Sequence, residues 1–115
     1  MGKIQSDVFF NDSATEWDVM WEGIRRKIMG FDGRLMLVKV KFEKGAVAPM
    51  HKHPHSQSAY IVEGKFDVII GDHRTILSAG DGFYIPPDVE HGVTAIEAGL
   101  VLDSFSPARE DFLDR

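Results

Sequence analysis

Between Gly45 and Gly64 the chain reads GAVAPMHKHPHSQSAYIVEG, and the spacing inside this stretch decides how the rest is read. Five residues separate Gly45 from His51, His53 follows two positions on, and six residues separate Gln57 from Gly64. In a strand, side chains two apart share a face, so His51, His53 and Gln57 are expected on one side, within reach of a single ion. His91 comes after the Pro86-Pro87 turn, where the chain can return beside the first pair and complete three nitrogens and one oxygen. Such a set leaves coordination positions open. The alternative for these imidazoles is a metal-free cluster of surface or core histidines.

Outward from this stretch, Leu35 to Gly99 is a run of short apolar–polar alternations broken by Gly, Pro and Asp, the pattern of antiparallel strands. Leu35 to Phe42 puts Val38, Val40 and Phe42 opposite Lys39 and Lys41; Gln57 to Glu63 puts Ala59 and Ile61 opposite Tyr60 and Val62. Gly64 is expected to turn the chain. Lys65 to Ile70 and Arg74 to Leu77 flank a tight Gly71-Asp72 hairpin. Phe83 to Ile85, Val93 to Ile96 and Leu100 to Phe105 follow, with a turn over Glu97 to Gly99, for at least seven strands. This is an all-β chain, a double-sheet roll or barrel whose interior can hold a ligand cavity. Trp17, Met20, Trp21 and Ile24 recur at helical intervals while Ile24 to Met29 alternates as a strand, so both periods stay open there. The two tryptophans are expected in the core or at a subunit contact rather than against a ligand.

At 115 residues the chain holds one domain with a single core. Its net charge of -5, with Arg25-Arg26-Lys27 as the only basic cluster, argues against nucleic-acid binding. The absence of cysteine removes disulfides, thiolate nucleophiles and zinc–thiolate sites. No apolar run is long enough for a signal peptide or membrane span, so no membrane association and a cytoplasmic location are expected. Met1-Gly2 with Ser6 fits a weak myristoylation pattern, read here as coincidence or a cloning remnant.

Gly80, five residues, Pro86 and then His91 form a second glycine-opened block after the His-x-His block, and together the two resemble the cupin family. Gln57 stands where most cupins carry Glu, Asp88 where they carry Gly, and Ala95 where they carry Asn. His-x-His-Pro-His with the following Gln57, the terminal Asp103-Ser104-Phe105-Ser106-Pro107-Ala108-Arg109-Glu110-Asp111-Phe112, and Arg25 to Gly30 are similar to the pectin-degradation cupins of KdgF type. The resemblance implies a jelly-roll barrel, the double-stranded β-helix of cupins, as a single domain over 1–115. Within it, segment 1–34 is expected at a homodimer interface, 35–106 as the barrel core and 107–115 as a tail. It also implies one divalent ion (zinc, nickel, manganese, iron or cobalt) on His51, His53, Gln57 and His91, with Asp103, Phe105 and Arg109 lining the active site. The activity implied is opening of a cyclic 4,5-unsaturated uronate, a small sugar acid derived from pectin or alginate, to its linear keto form, without a redox step.

In that chemistry Asp103 moves protons, Arg109 holds the substrate's anionic or hydroxyl groups, Phe105 covers the ring, and Arg26 is a second candidate for anion binding. From the residues alone, alternation puts Val101, Asp103 and Phe105 on one face, either the cavity wall or an edge in water. Arg109 has the competing role of a surface ion pair with Glu110 or Asp111. His55, after Pro54, and His73, beside the hairpin, are expected in solvent. Two other functions compete: an iron-dependent cupin dioxygenase, and a non-catalytic sugar- or effector-binding module.

Overall fold

The computed structural model describes residues 5–113. Eight strands account for most of them: β1 (Asp18–Trp21), β2 (Ile24–Phe31), β3 (Met36–Phe42), β4 (Val47–His51), β5 (Ser56–Ile70), β6 (His73–Ser78), β7 (Gly82–Ile85) and β8 (His91–Ser106). Short 3-10 turns at Asp12–Ala14 and Glu110–Phe112 flank them. The region whose period was open over Trp17 to Met29 is extended chain, so β1 and β2 join the sheet ahead of β3. Among the described residues no helix is long and apolar enough to cross a membrane. Met1 and Gly2, which the myristoylation pattern requires, lie outside the described residues.

The architecture follows from two long strands, β5 and β8, paired antiparallel from Ser56↔Ser106 to Ile70↔His91. The second half of β8 pairs with β3, which continues through β2 to β1, while its first half pairs with β4. Likewise β5 pairs with β7 through Gln57 to Tyr60 and with β6 through Lys65 to Ile70. Two layers therefore share one continuous pair of strands that bends from one layer into the other, and the sheet rolls up around the space between.

The bend corrects two expectations. Gly64 does not end a strand, and Glu97 to Gly99 is not a turn; each lies inside a single long strand. The register of β5 on β8 slips between Ile61 and Phe66, and Gly64 has φ +98°, so the glycine supports a bulge rather than a reversal. A Cβ built on Gly64 would lie 2.7 Å from the Ala98 carbonyl oxygen, and one on Gly99 would strike Glu63. Two backbones pass too closely there for any side chain. The Gly71-Asp72 hairpin is as expected, with Ile70 opposite His73 and Gly71 at φ +60°.

Alternation fixes which faces turn inward. Met36, Val38, Val40 and Phe42 of β3 are buried, as are Ala59 and Ile61 of β5 and Val101 and Phe105 of β8. Phe42 and Phe66 meet edge-to-face with centroids 5.1 Å apart. Each buried Val, Ile, Met or Phe among these stabilises the fold by about 1.5–3 kcal/mol relative to exposure. After β8 the chain turns back over this core, burying Ala108 and Phe112.

Candidate metal centre

Register brings the first two imidazoles together: His51 ends β4 directly opposite His91, the first residue of β8. Their ring centroids are 4.3 Å apart, and that of His53 lies 4.8 Å from His91. One ligand atom from each of the three lies within 4.8 Å of the others, so they can hold a metal ion. His53 arrives differently from what strand parity suggested. It sits in the non-strand segment before Pro54, tied by the Asp88 N–H donating to the His53 carbonyl at 2.8 Å. Gln57, the second residue of β5, faces the cluster from the neighbouring strand.

Hydrogen bonds set which nitrogen of each ring points inward. His51 Nδ1 lies 2.7 Å from the Pro49 carbonyl and His91 Nδ1 2.9 Å from that of Val89. A carbonyl only accepts, so these Nδ1 atoms carry the protons and each Nε2 presents a lone pair. His91 Nε2 is buried and has no hydrogen-bond partner. His53 has oxygen acceptors at both nitrogens, the His55 carbonyl at 3.1 Å and Gln57 Oε1 at 3.1 Å. A neutral ring can donate to one of them only. An imidazolium would serve both, but burial and then the nearby Arg109 charge hold His53 below its ordinary pKa, and burial pushes His91 down to about 4. A cation facing these lone pairs removes the conflict. The donor set therefore fits a divalent ion of the imidazole-preferring kind.

Gln57 connects this cluster to a carboxylate. Its Nε2 donates to Asp103 Oδ1 at 2.9 Å, which turns Oε1 toward His53. Asp103 is buried on the inward face of β8, and that burial, working against the Gln57 hydrogen bond and the Arg109 charge, pushes its carboxyl up to about 6. Of the two placements open to it, the cavity wall is the observed one. The cavity, about 270 Å³, is lined by His51, Gln57, His91 and Asp103 together with Phe105, Arg109 and Arg26. It can gather an anion, a metal and a proton-exchanging carboxyl in one small space.

The remaining candidates lie on the same wall. Phe105 is buried with its ring centroid 5.8 Å from that of His53. Arg109 does pair with Asp111, through Nε at 3.0 Å and Nη2 at 2.8 Å; Asp111 is exposed, but Arg109, at 12% side-chain exposure, belongs to the cavity wall rather than to open surface. Its guanidinium stands 4.2 Å from the Phe112 ring centroid, and that of Arg26 stands 3.9 Å from the same ring. His73 is exposed as expected. His55 is not: it is half-buried, 5.4 Å from the His53 ring, and burial lowers its pKa. Trp21, expected in the core or at a subunit contact rather than against a ligand, packs partly buried against the core and also lines the cavity. Met20 and Phe83 line it too, and the sequence reading named neither as a site residue.

A Cupin domain matches residues 38–103, which include His51, His53, Gln57, His91 and Asp103. The chain belongs to the cupin family. It is 44% identical over 107 residues to the pectin degradation protein KdgF of Dickeya dadantii (strain 3937), spanning 91% of this chain and 97% of that one. Among solved structures, an RmlC-like cupin from Shewanella frigidimarina NCIMB 400 matches with a TM-score of 0.92 at 44% identity, over 96% of this chain and 99% of the other. KdgF from Halomonas sp. matches with a TM-score of 0.88 at 41% identity, over 94% and 100%. Among the described non-glycine residues Asp88 alone has a positive φ, a conformation that glycine enters freely. It has φ +63°, in the left-handed region that Asp enters more readily than most residues, and its N–H is the group that ties the His53 segment.

Proposed function

We propose that this cupin opens cyclic 4,5-unsaturated uronates, the sugar acids that lyases release from pectin or alginate, to their linear keto form. The observation that carries the reading is the three-imidazole cluster joined to the buried Asp103 through the amide of Gln57. Kinship over most of the chain with a pectin degradation protein supports it.

His51, His53, Gln57 and His91 would hold one divalent ion of zinc, nickel, manganese, iron or cobalt. When bound, it supplies positive charge for the uronate carboxylate and for negative charge developing on the oxygen at C5. Arg109, with Arg26 behind it, draws the anionic substrate into the cavity, and Phe105 covers its ring. Asp103 takes the proton of the anomeric hydroxyl. As the C1 carbonyl forms, the bond from C1 to the ring oxygen breaks and its electron pair stays on that oxygen, now an enolate at C5. Asp103 then returns the proton to C4 while the C5 ketone forms. No atom is gained or lost and no oxidant is consumed.

Incubating the purified protein with unsaturated galacturonate and following the products by proton NMR, in air and under nitrogen, tests the reading. The expected result is protein-dependent formation of the linear keto acid at equal rates in both atmospheres. No protein-dependent conversion would overturn it, and a strict need for oxygen would point to the dioxygenase chemistry of other cupins.

A further inference from the structure

In a regular strand two consecutive side chains face opposite ways, yet Met20 and Trp21 of β1 both line the cavity. The pairing of β1 with β2 explains how: Val19 lies opposite Arg25 and Trp21 opposite Ile24, so Met20 is the extra residue of a bulge. Val19, just before it, is 63% exposed. The bulge swings Trp21 to the cavity side, where its ring centroid lies 5.3 Å from that of His51 at an angle of 55°. His51 is already oriented by the Pro49 carbonyl, so the indole adds no hydrogen bond that the imidazole needs. Trp21 is only half-buried, and the cavity takes up part of its surface.

From this geometry we infer that Trp21 is a substrate-binding wall: its indole face packs against the C–H face of the uronate ring held beside His51. The inference rests on the uronate reading above and adds a second aromatic surface to that of Phe105. A ring fixed between walls loses little further freedom on reaching the transition state. Trp21 therefore contributes to binding more than to the chemical step.

The chain has two tryptophans, and Trp17 stands apart under the amines of Lys27, at 4.5 Å, and Lys41, at 5.8 Å. Trp17→Phe therefore leaves Trp21 as the single indole emitter, and loading this variant with cobalt or nickel to one ion per chain should quench most of its emission. Trp21→Leu keeps an apolar side chain but removes the π face. With unsaturated galacturonate it should keep full metal content and a kcat within about threefold of the parent while KM rises roughly tenfold or more; Trp21→Phe should fall between. An active parent whose Trp21→Leu variant keeps its KM would overturn this inference alone, as would loss of metal from that variant or Trp21 emission indifferent to the bound ion. A metal-loaded parent that leaves the uronate unchanged would overturn the underlying reading and this inference with it.

Discussion

Gln57 faces two ways, with its oxygen toward His53 and its amide N–H groups toward Asp103, and a carboxylate in its place could not do both. Gln57→Glu is expected to keep or tighten the metal, because it adds a negative ligand, while turnover falls by roughly tenfold or more. Two carboxylates would then meet where the amide now bridges, and charge growth on the C5 oxygen would be opposed. Metal analysis beside steady-state kinetics checks both halves. Asp103→Asn preserves an acceptor for the Gln57 N–H and removes the basic group. Metal content and folding should survive, with kcat reduced by roughly a hundredfold or more. Loss of metal from that variant would make Asp103 a support of the site instead of its proton carrier. At this scale the sequence was legible where side chains sit on regular strand. Alternation correctly paired Val101, Asp103 and Phe105, because β8 is extended through them. It did not place Trp21 on the cavity, because helical and strand periods competed there and one bulge residue reverses the strand parity. His53 reached the cluster without the strand invoked for it, held by a backbone bond from Asp88.

The elements that shape the cavity depend on the crossing of β5 and β8 at Gly64 and Gly99. Any Cβ on Gly99 meets the Glu63 backbone and the Phe66 ring, so Gly99→Ala should cost about 2–4 kcal/mol in urea unfolding. Gly33, where an added Cβ meets nothing within 4 Å, should tolerate Ala within about 0.5 kcal/mol. A glycine in an alternating run reads equally as a turn or as a bend, and only the partner strand distinguishes them. That is why four short strands were expected where two long ones exist. A second device holds the N-terminal turn to the sheet: Asp12 Oδ1 accepts from Lys39 Nζ at 2.6 Å and Lys27 Nζ at 3.0 Å. Lys39 and then Lys27 hold the Asp12 carboxyl below its ordinary range, so the folded chain protonates it at lower pH than the unfolded chain does. This contribution is complete above the ordinary carboxylate range and fades as pH falls through the depressed value. Amide exchange over residues 12–15 should be faster in Asp12→Asn than in the parent at pH 7, with the difference shrinking as pH falls through the depressed Asp12 value.

At the scale of the whole molecule, the roll brings three imidazoles and the Gln57 amide together from three separate stretches of chain. His51 comes from the end of β4, His53 and Gln57 from either side of Pro54, and His91 from the start of β8. The glycine and proline punctuation made this architecture readable, and the histidine spacing located its centre. The C-terminal return, which puts Arg109 and Phe112 on the cavity wall, was expected as a tail; family resemblance pointed to Arg109 alone, since nothing local distinguishes this segment from a charged tail. The central claim is that uronate opening depends on an ion at that centre. Its most direct test is the rate of loss of enol-ether ultraviolet absorbance from unsaturated galacturonate, measured against bound metal as chelator-stripped protein is reloaded. The expected rate is indistinguishable from the protein-free control at zero metal, rises in proportion to occupancy and levels at one ion per chain. An unchanged rate in the stripped protein, or no rate at full occupancy, would contradict that dependence.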